Sequence, residues 1–207
     1  MEYEIRFYYP SKEYQTKLEE LKRIKSLNYG GKKHEITSQY DHPSKEYSFY
    51  TKEVDGRFRI RKTEGQDDSK CMISWKRRLK EESNINKEEE VELSINPNEY
   101  ENLMFLIKNV LHLKLIESYE RYRTVFYNED VEIVLDEYPF GLALEIESKS
   151  KDKDPEKVID KYVKLLYLDY KESYKLSWDD KYEELCKEQN KEKYNEVTFD
   201  KDMPQIK

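Results

Sequence analysis

Gly56-Arg57-Phe58-Arg59-Ile60-Arg61 places an arginine at every second position, with Phe58 and Ile60 between them. Side chains alternate across a strand, so this run is a β-strand with one cationic and one apolar face. The pattern continues on both sides. Residues 70–78 set Met72, Ser74, Lys76 and Arg78 against Cys71, Ile73 and Trp75; after a charged turn, Glu88, Glu90 and Glu92 oppose Glu89, Val91 and Leu93. Upstream, Glu2, Glu4 and Arg6 oppose Tyr3, Ile5 and Phe7. Downstream, Tyr119, Arg121 and Arg123 stand in phase, Glu132, Val134 and Asp136 oppose Val131, Ile133 and Leu135, and Ala143, Glu145 and Glu147 oppose Leu144 and Ile146. Asn128-Glu129-Asp130 and Pro139-Phe140-Gly141 read as the turns between these last runs.

Helical spacing separates the strands. Tyr14, Leu18, Leu21 and Ile24 mark a first helix after Pro10-Ser11, and Asn96-Pro97 opens a second whose buried stripe is Tyr100, Leu103, Leu106, Ile107, Val110 and Leu111. Asp154-Pro155 starts a third, with Val158, Tyr162, Leu165 and Leu166 inward. Ser177 with Asp180 forms a capping box for a fourth that carries Trp178, Tyr182 and Leu185, and a polar tail with a short strand follows from Val197. Residues 28–55 read less clearly: Gly30-Gly31 and Asp41-His42-Pro43 are turn signals, and Tyr47, Phe49 and Tyr50 are expected to form a short strand.

The 207 residues suffice for one domain, expected to span 1–207, with a barrel and two helices over 1–150 and a helical segment and tail over 151–207. Charged residues make up 40%, yet 14% aromatics supply burial that a solvated tail lacks. No apolar run approaches the roughly 20 residues needed to cross a bilayer. The net charge of −7 argues against binding duplex nucleic acid through phosphate contacts. Cys71 and Cys186 have neither disulfide nor zinc spacing and read as free thiols. The expectation is a cytoplasmic protein without membrane attachment, a monomer or homodimer.

The polar faces sort by sign, strand by strand. Like charges two residues apart on one face lie about 7 Å from each other, so each strand repels itself unless opposite charges stand near. A sheet closed into a barrel with this face inside sets acidic strands opposite basic ones across a lumen, with the apolar faces outside under the helices. Such a lumen suits a polyanion with a hard cation. Glu2 with Glu4 and Glu145 with Glu147 form carboxylate pairs suited to Mg²⁺, with Asp136 and Glu90 as further candidates. Arg59, Arg61, Lys76, Arg121 and Arg123 are the expected phosphate donors. Arg6, Arg57 and Arg78 stand at strand ends, where side chains drift outward, and Glu132 reads as structural. His34, His42 and His112 share no spacing, and neither a Ser/His/Asp set nor a glycine-rich phosphate loop is visible.

In order along residues 2–147, these runs resemble the CYTH domain, or triphosphate tunnel metalloenzyme, family. Glu2-Tyr3-Glu4-Ile5-Arg6 is similar to its Glu-x-Glu-x-Lys signature, with Arg6 in place of lysine, and Phe58-Arg59-Ile60-Arg61 to its Leu-Arg-x-Arg strand. Ser74-Trp75-Lys76 resembles its Thr-x-Lys and Arg121-Tyr122-Arg123 its Lys-x-Arg. Glu88, Glu90 and Glu92 match its acidic strand, and Leu135-Asp136 through Gly141 to Glu145-Ile146-Glu147 matches its closing motif. The resemblance implies an α+β fold, an eight-stranded antiparallel tunnel with a polar interior and helices outside, and dependence on Mg²⁺ or Mn²⁺. It further implies hydrolysis of a small triphosphate (thiamine triphosphate, inorganic triphosphate, a nucleoside triphosphate or triphosphate-ended RNA), with Glu4, Glu147 and Lys76 at the reaction centre. Class IV-type adenylyl cyclase activity and non-catalytic polyphosphate binding are the alternatives.

Overall fold

The computed structural model of the chain describes residues 1–64, 69–79, 83 and 85–207. Eight strands form the barrel: β1 (Glu2–Tyr9), β2 (Asn28–Asp41), β3 (Gly56–Glu64), β4 (Ser69–Leu79), β5 (Asn86–Ile95), β6 (Lys114–Tyr127), β7 (Val131–Tyr138) and β8 (Gly141–Ser148). Their order is β2-β3-β4-β5-β1-β8-β7-β6, and β2 pairs with β6 to close the ring. Every pairing in the ring is antiparallel. A short β9 (Glu196–Val197) adds to β6 in parallel.

The barrel has its apolar core outside. Ile5, Phe7, Ile133, Leu135, Leu144 and Ile146 project from β1, β7 and β8 and pack with Leu18 and Leu21 of α1 (Tyr14–Lys22) and with Val158, Ile159 and Tyr162 of α3 (Pro155–Leu165). At about 1.5–3 kcal/mol for each fully buried large side chain, this cluster rather than the lumen stabilises the fold. A second cluster joins Tyr119, Tyr138, Phe140 and Ala143 to Trp178, Tyr182 and Leu185 of α4 (Trp178–Gln189). The capping box forms as expected, with the Ser177 N–H donating to Asp180 Oδ2 at 3.0 Å. Gly56 opens β3 because the Trp75 ring lies where a Cβ would stand, 2.2 Å from its nearest carbon.

The fold departs from the sequence reading in several places. The stretch from residue 28 contains β2, a 14-residue strand paired on both sides, whereas Tyr47, Phe49 and Tyr50 lie in a loop of turns and bends. Phe49 is aromatic for packing, edge-on to Trp75 at 5.3 Å. The second helix is short, α2 (Tyr100–Phe105), and continues as a π-turn over Leu106–Val110. Only Met104 and Ile107 of that segment are buried; Leu106, Val110 and Leu111 of the expected stripe are exposed, as is Leu165 of α3. Val91 and Leu93 on the outer face of β5 are also exposed, so helices cover the barrel unevenly. The charged turn expected after Arg78 lies partly outside the described residues.

Candidate functional site

Alternation along each strand turns the ionised faces inward onto one cavity of about 350 Å³. Among the described residues, nine glutamates and ten lysines and arginines line it. Glu2, Glu4, Glu90, Glu145, Glu147, Arg59, Arg61, Lys76, Arg121 and Arg123 of the sequence reading all face this space. Asp136 lies beneath its wall, fully buried.

Register explains which charges meet. Glu2 stands opposite Glu88 across β1–β5, Glu4 opposite Glu147 across β1–β8, and Glu132 opposite Glu147 across β7–β8. Like charges directly opposite destabilise a sheet, so this acidic wall depends on cations from elsewhere. Lys76 reaches across from β4 to Glu2 Oε2 at 2.6 Å and Glu90 Oε1 at 2.9 Å. Arg6 binds Glu145 Oε1 at 2.5 Å and Glu4 Oε1 at 2.9 Å. Glu147 is joined to Lys149 at the rim.

On the basic wall, both oxygens of Asp136 are engaged: Arg123 donates to Oδ1 at 2.7 Å and Oδ2 at 2.5 Å, and Arg121 to Oδ2 at 2.8 Å. Arg121 also binds Glu35, with Nε to Oε2 at 2.8 Å. Arg59 donates to Gln39 at 3.1 Å, so it is held by an amide and keeps its charge uncompensated at that contact.

The protonation of this site follows from burial and neighbours. Burial and the facing Glu2 carboxylate push Glu147 up to about 8. Glu4 is pushed up to about 7 by burial, with Glu145, Glu88 and Glu2 adding to the rise against the opposing pull of Arg6. Burial also acts upward on Glu35 and Glu145, but Arg121 and Arg61 overcome it at Glu35, Arg6 and Arg123 at Glu145, and both stay well below the usual carboxylate range. The same lumen thus holds carboxylates kept ionised by arginine and others, Glu4 and Glu147, that burial and neighbouring carboxylates dispose to take up a proton.

A hard divalent cation fits the second set. Glu2, Glu4 and Glu147 offer oxygen donors on adjoining strands, and burial beside other carboxylates makes two of them resist ionisation. Among the described residues, no three ligating groups already converge as a preformed cluster, because Lys76, Arg6 and Lys149 hold the carboxylates individually.

Some of the lining was not anticipated. Lys33 and Glu35 belong to β2, whose alternation of Lys33, Glu35, Thr37 and Gln39 against Ile36, Ser38 and Tyr40 was the available signal. Glu132, read as structural, faces the cavity beside Glu147; Arg6 and Arg57 face it too. Arg78 lies outside it, in a separate cavity.

Outside this lining, Glu117 and Asp179 share the Tyr50 hydroxyl, which is 3.5 Å from Glu117 Oε1 and 2.5 Å from Asp179 Oδ2. Burial and the Asp179 charge push Glu117 up to about 7. Between the ordinary 4.5 and this value the folded state holds a proton that the unfolded chain has lost. Its stabilising effect is therefore complete below about 4.5 and lost as pH rises through about 7. Glu117→Gln is expected to remove that loss, making the protein roughly 1–3 kcal/mol less sensitive to a change from pH 5 to pH 8. Urea unfolding at both pH values checks this, and identical pH dependence in variant and wild type would contradict it. Glu4 and Glu147 titrate in the same sense, so some dependence persists.

Fold and site together define a tunnel protein: a closed antiparallel barrel with an ionised lumen and its apolar packing outside. The sequence matches the family model of the CYTH domain over residues 1–197, and the chain belongs to that family. Members of the family are triphosphatases or cyclases that take small triphosphates in such a tunnel and depend on metal. A search of curated proteins gives no significant match. Among solved structures, the PH1012 protein of Pyrococcus horikoshii is 19% identical with a TM-score of 0.64, covering 86% of this chain and 97% of its own. HpAC1 from Hippeastrum, a candidate adenylyl cyclase with a dominant triphosphatase activity, is 19% identical with a TM-score of 0.61, covering 95% of this chain and 100% of its own. A candidate adenylate cyclase from Vibrio parahaemolyticus is 16% identical with a TM-score of 0.63, covering 86% of this chain and 96% of its own. At these identities the likeness is one of fold. No helix among the described residues is long and apolar enough to cross a membrane.

Proposed function

We propose that this protein is a divalent-metal-dependent phosphohydrolase that cleaves the terminal phosphoanhydride of a small triphosphate. The observation that carries the reading is the charge balance of the lumen: nine glutamates face ten basic side chains among the described residues, and the buried Asp136 makes the acids ten. Even with Glu4 and Glu147 protonated the lumen has an excess of only two positive charges, so a triphosphate of roughly four negative charges brings cations with it. Glu2, Glu4 and Glu147 would hold a Mg²⁺ or Mn²⁺ ion, with Glu90 and Glu145 as further oxygen donors. When bound, the ion screens phosphate oxygens and lowers the pKa of a water molecule.

The chain's own groups do the rest. Arg59, Arg61, Arg121 and Arg123 donate to phosphate oxygens and absorb charge that develops on them as the bridging bond breaks. Asp136 orients Arg121 and Arg123; both of its oxygens are already engaged there, so this role suits it better than metal binding. Lys76 exchanges its glutamate partners for phosphate when substrate arrives. Glu4 and Glu147, easily protonated in the free protein, are placed to accept a proton from water.

Thiamine triphosphate, inorganic triphosphate, ATP and triphosphate-ended RNA, each with and without Mg²⁺ or Mn²⁺, form the test. Metal-dependent release of orthophosphate from at least one is expected. Cyclic AMP with diphosphate from ATP would overturn hydrolysis in favour of cyclisation, and binding without any product would reduce the site to a polyphosphate-binding one.

A further inference from the structure

The lumen differs at its two ends. One opens to solvent around Glu92 and Lys149, both substantially exposed. At the other, Ser177 and Trp178, the start of α4, form part of the cavity lining together with Tyr119 and Tyr138. Trp178 is 4% exposed and lies against Tyr119 with ring centroids 4.3 Å apart. The turn that carries it is fixed by the Ser177–Asp180 capping box and by the Tyr50 hydroxyl on Asp179.

Behind this turn is a second cavity of about 340 Å³, lined by Asp179, Asp180, Tyr50, Asp55 and Arg78 among others. Arg57 lines both spaces. One helical turn and one arginine therefore stand between the two cavities. At the partition, Trp178 Nε1 and Arg57 Nε are buried donors with no acceptor. A buried donor left unpaired costs about 1–3 kcal/mol, so an acceptor bound there is strongly favoured. The terminal group of a phosphate chain has the most oxygen acceptors and the most charge.

We infer that Trp178 is a specificity-determining stop: the substrate enters from the open end, its free terminal phosphate seats against Trp178 and Arg57, and anything beyond the terminal units stays towards the mouth. The substrate class is then any linear phosphate chain with an unesterified end, shortened from that end. A chain blocked at both ends has no group to seat. This rests on the tunnel being a phosphohydrolase site, and it adds direction and end-selectivity to it.

Linear inorganic polyphosphate of about 14 units is the probe for turnover. Wild type with Mg²⁺ should release orthophosphate alone in the early time course. Trp178→Ala, which opens the partition, should release internal fragments as roughly a tenth or more of its early products, and Trp178→Phe, which keeps a ring there, should not. Internal fragments from wild type, or a wild-type product ratio from folded Trp178→Ala, would overturn the inference.

Trp178→Ala empties a core position, so a binding measurement on the wild-type protein stands beside it. Calorimetry with Ca²⁺ in place of Mg²⁺, under conditions where no product forms, should show ATP binding at least roughly tenfold more tightly than diadenosine tetraphosphate, whose ends are both esterified. Equal affinities would overturn the inference even if no chain is hydrolysed, whereas absent hydrolysis with the tenfold preference intact would count against the phosphohydrolase reading alone.

Discussion

Glu147→Gln is expected to lower triphosphate turnover by roughly 10³-fold or more, because it replaces an anionic oxygen donor by a neutral one and removes a proton acceptor from the acidic wall at once. The loss should come without unfolding. Glu147 is pushed up to about 8 by burial and by Glu2, so its ionisation works against the fold, and a neutral amide relieves the repulsion that it shares with Glu4 and Glu132. Above pH 8 the variant should therefore melt no lower than wild type in the absence of metal. Glu4→Gln should behave alike, with a smaller gain in stability because Arg6 loses part of its partner set. Turnover at the wild-type rate by folded Glu147→Gln would remove that glutamate from the reaction.

Asp136→Ala carries the largest expected cost in stability. The carboxylate is fully buried and takes hydrogen bonds from two arginines, which are themselves buried or nearly so. Removing one member of a buried charge network leaves the others uncompensated, at a cost of about 3–5 kcal/mol. Glu35 remains for Arg121, and Glu145 for Arg123 at 3.0 Å, which keeps the expectation at the lower part of that range. Denaturant unfolding measures it. A loss below about 1 kcal/mol would show that solvent already screens these charges and that the basic wall is less enclosed than its geometry indicates.

Both effects depend on residues that the sequence made visible, and for one reason. A strand with one apolar and one ionised face announces itself by a period of two, and β1, β3, β4, β5, β7 and β8 all have such faces, whereas β6 shows only the phase of Tyr119, Arg121 and Arg123, with Ser118, Glu120 and Tyr122 on its other face. β2 lacks that signal because its outer face is also polar: His34 bonds Glu120 at 2.9 Å, and Ile36 is exposed. Without an apolar stripe the strand gives no clear reading between the turn signals at Gly30-Gly31 and Asp41-His42-Pro43, and Glu35 does not stand out. Tyr47, Phe49 and Tyr50 misled in the opposite direction, being aromatic for loop packing and for the contact with Asp179 rather than for a strand.

What no single strand can show is register. Glu132 looked like ordinary strand polarity until its position opposite Glu147 placed it on the acidic wall. The commitment of Asp136 to two arginines is likewise a contact across strands. Trp178 had a clear role in packing, and its second role, facing the lumen, exists only because α4 returns to the inner end of the barrel.

Opposed ionised side chains enclose the proposed site for a metal-bound oligophosphate. Crystals soaked with Mn²⁺ and inorganic triphosphate test it most directly, read at the manganese absorption edge. The account predicts anomalous density beside Glu2, Glu4 and Glu147 with phosphate density reaching toward Arg59, Arg61, Arg121 and Arg123. Manganese and triphosphate bound only on the outer surface, with the lumen holding neither, would contradict it.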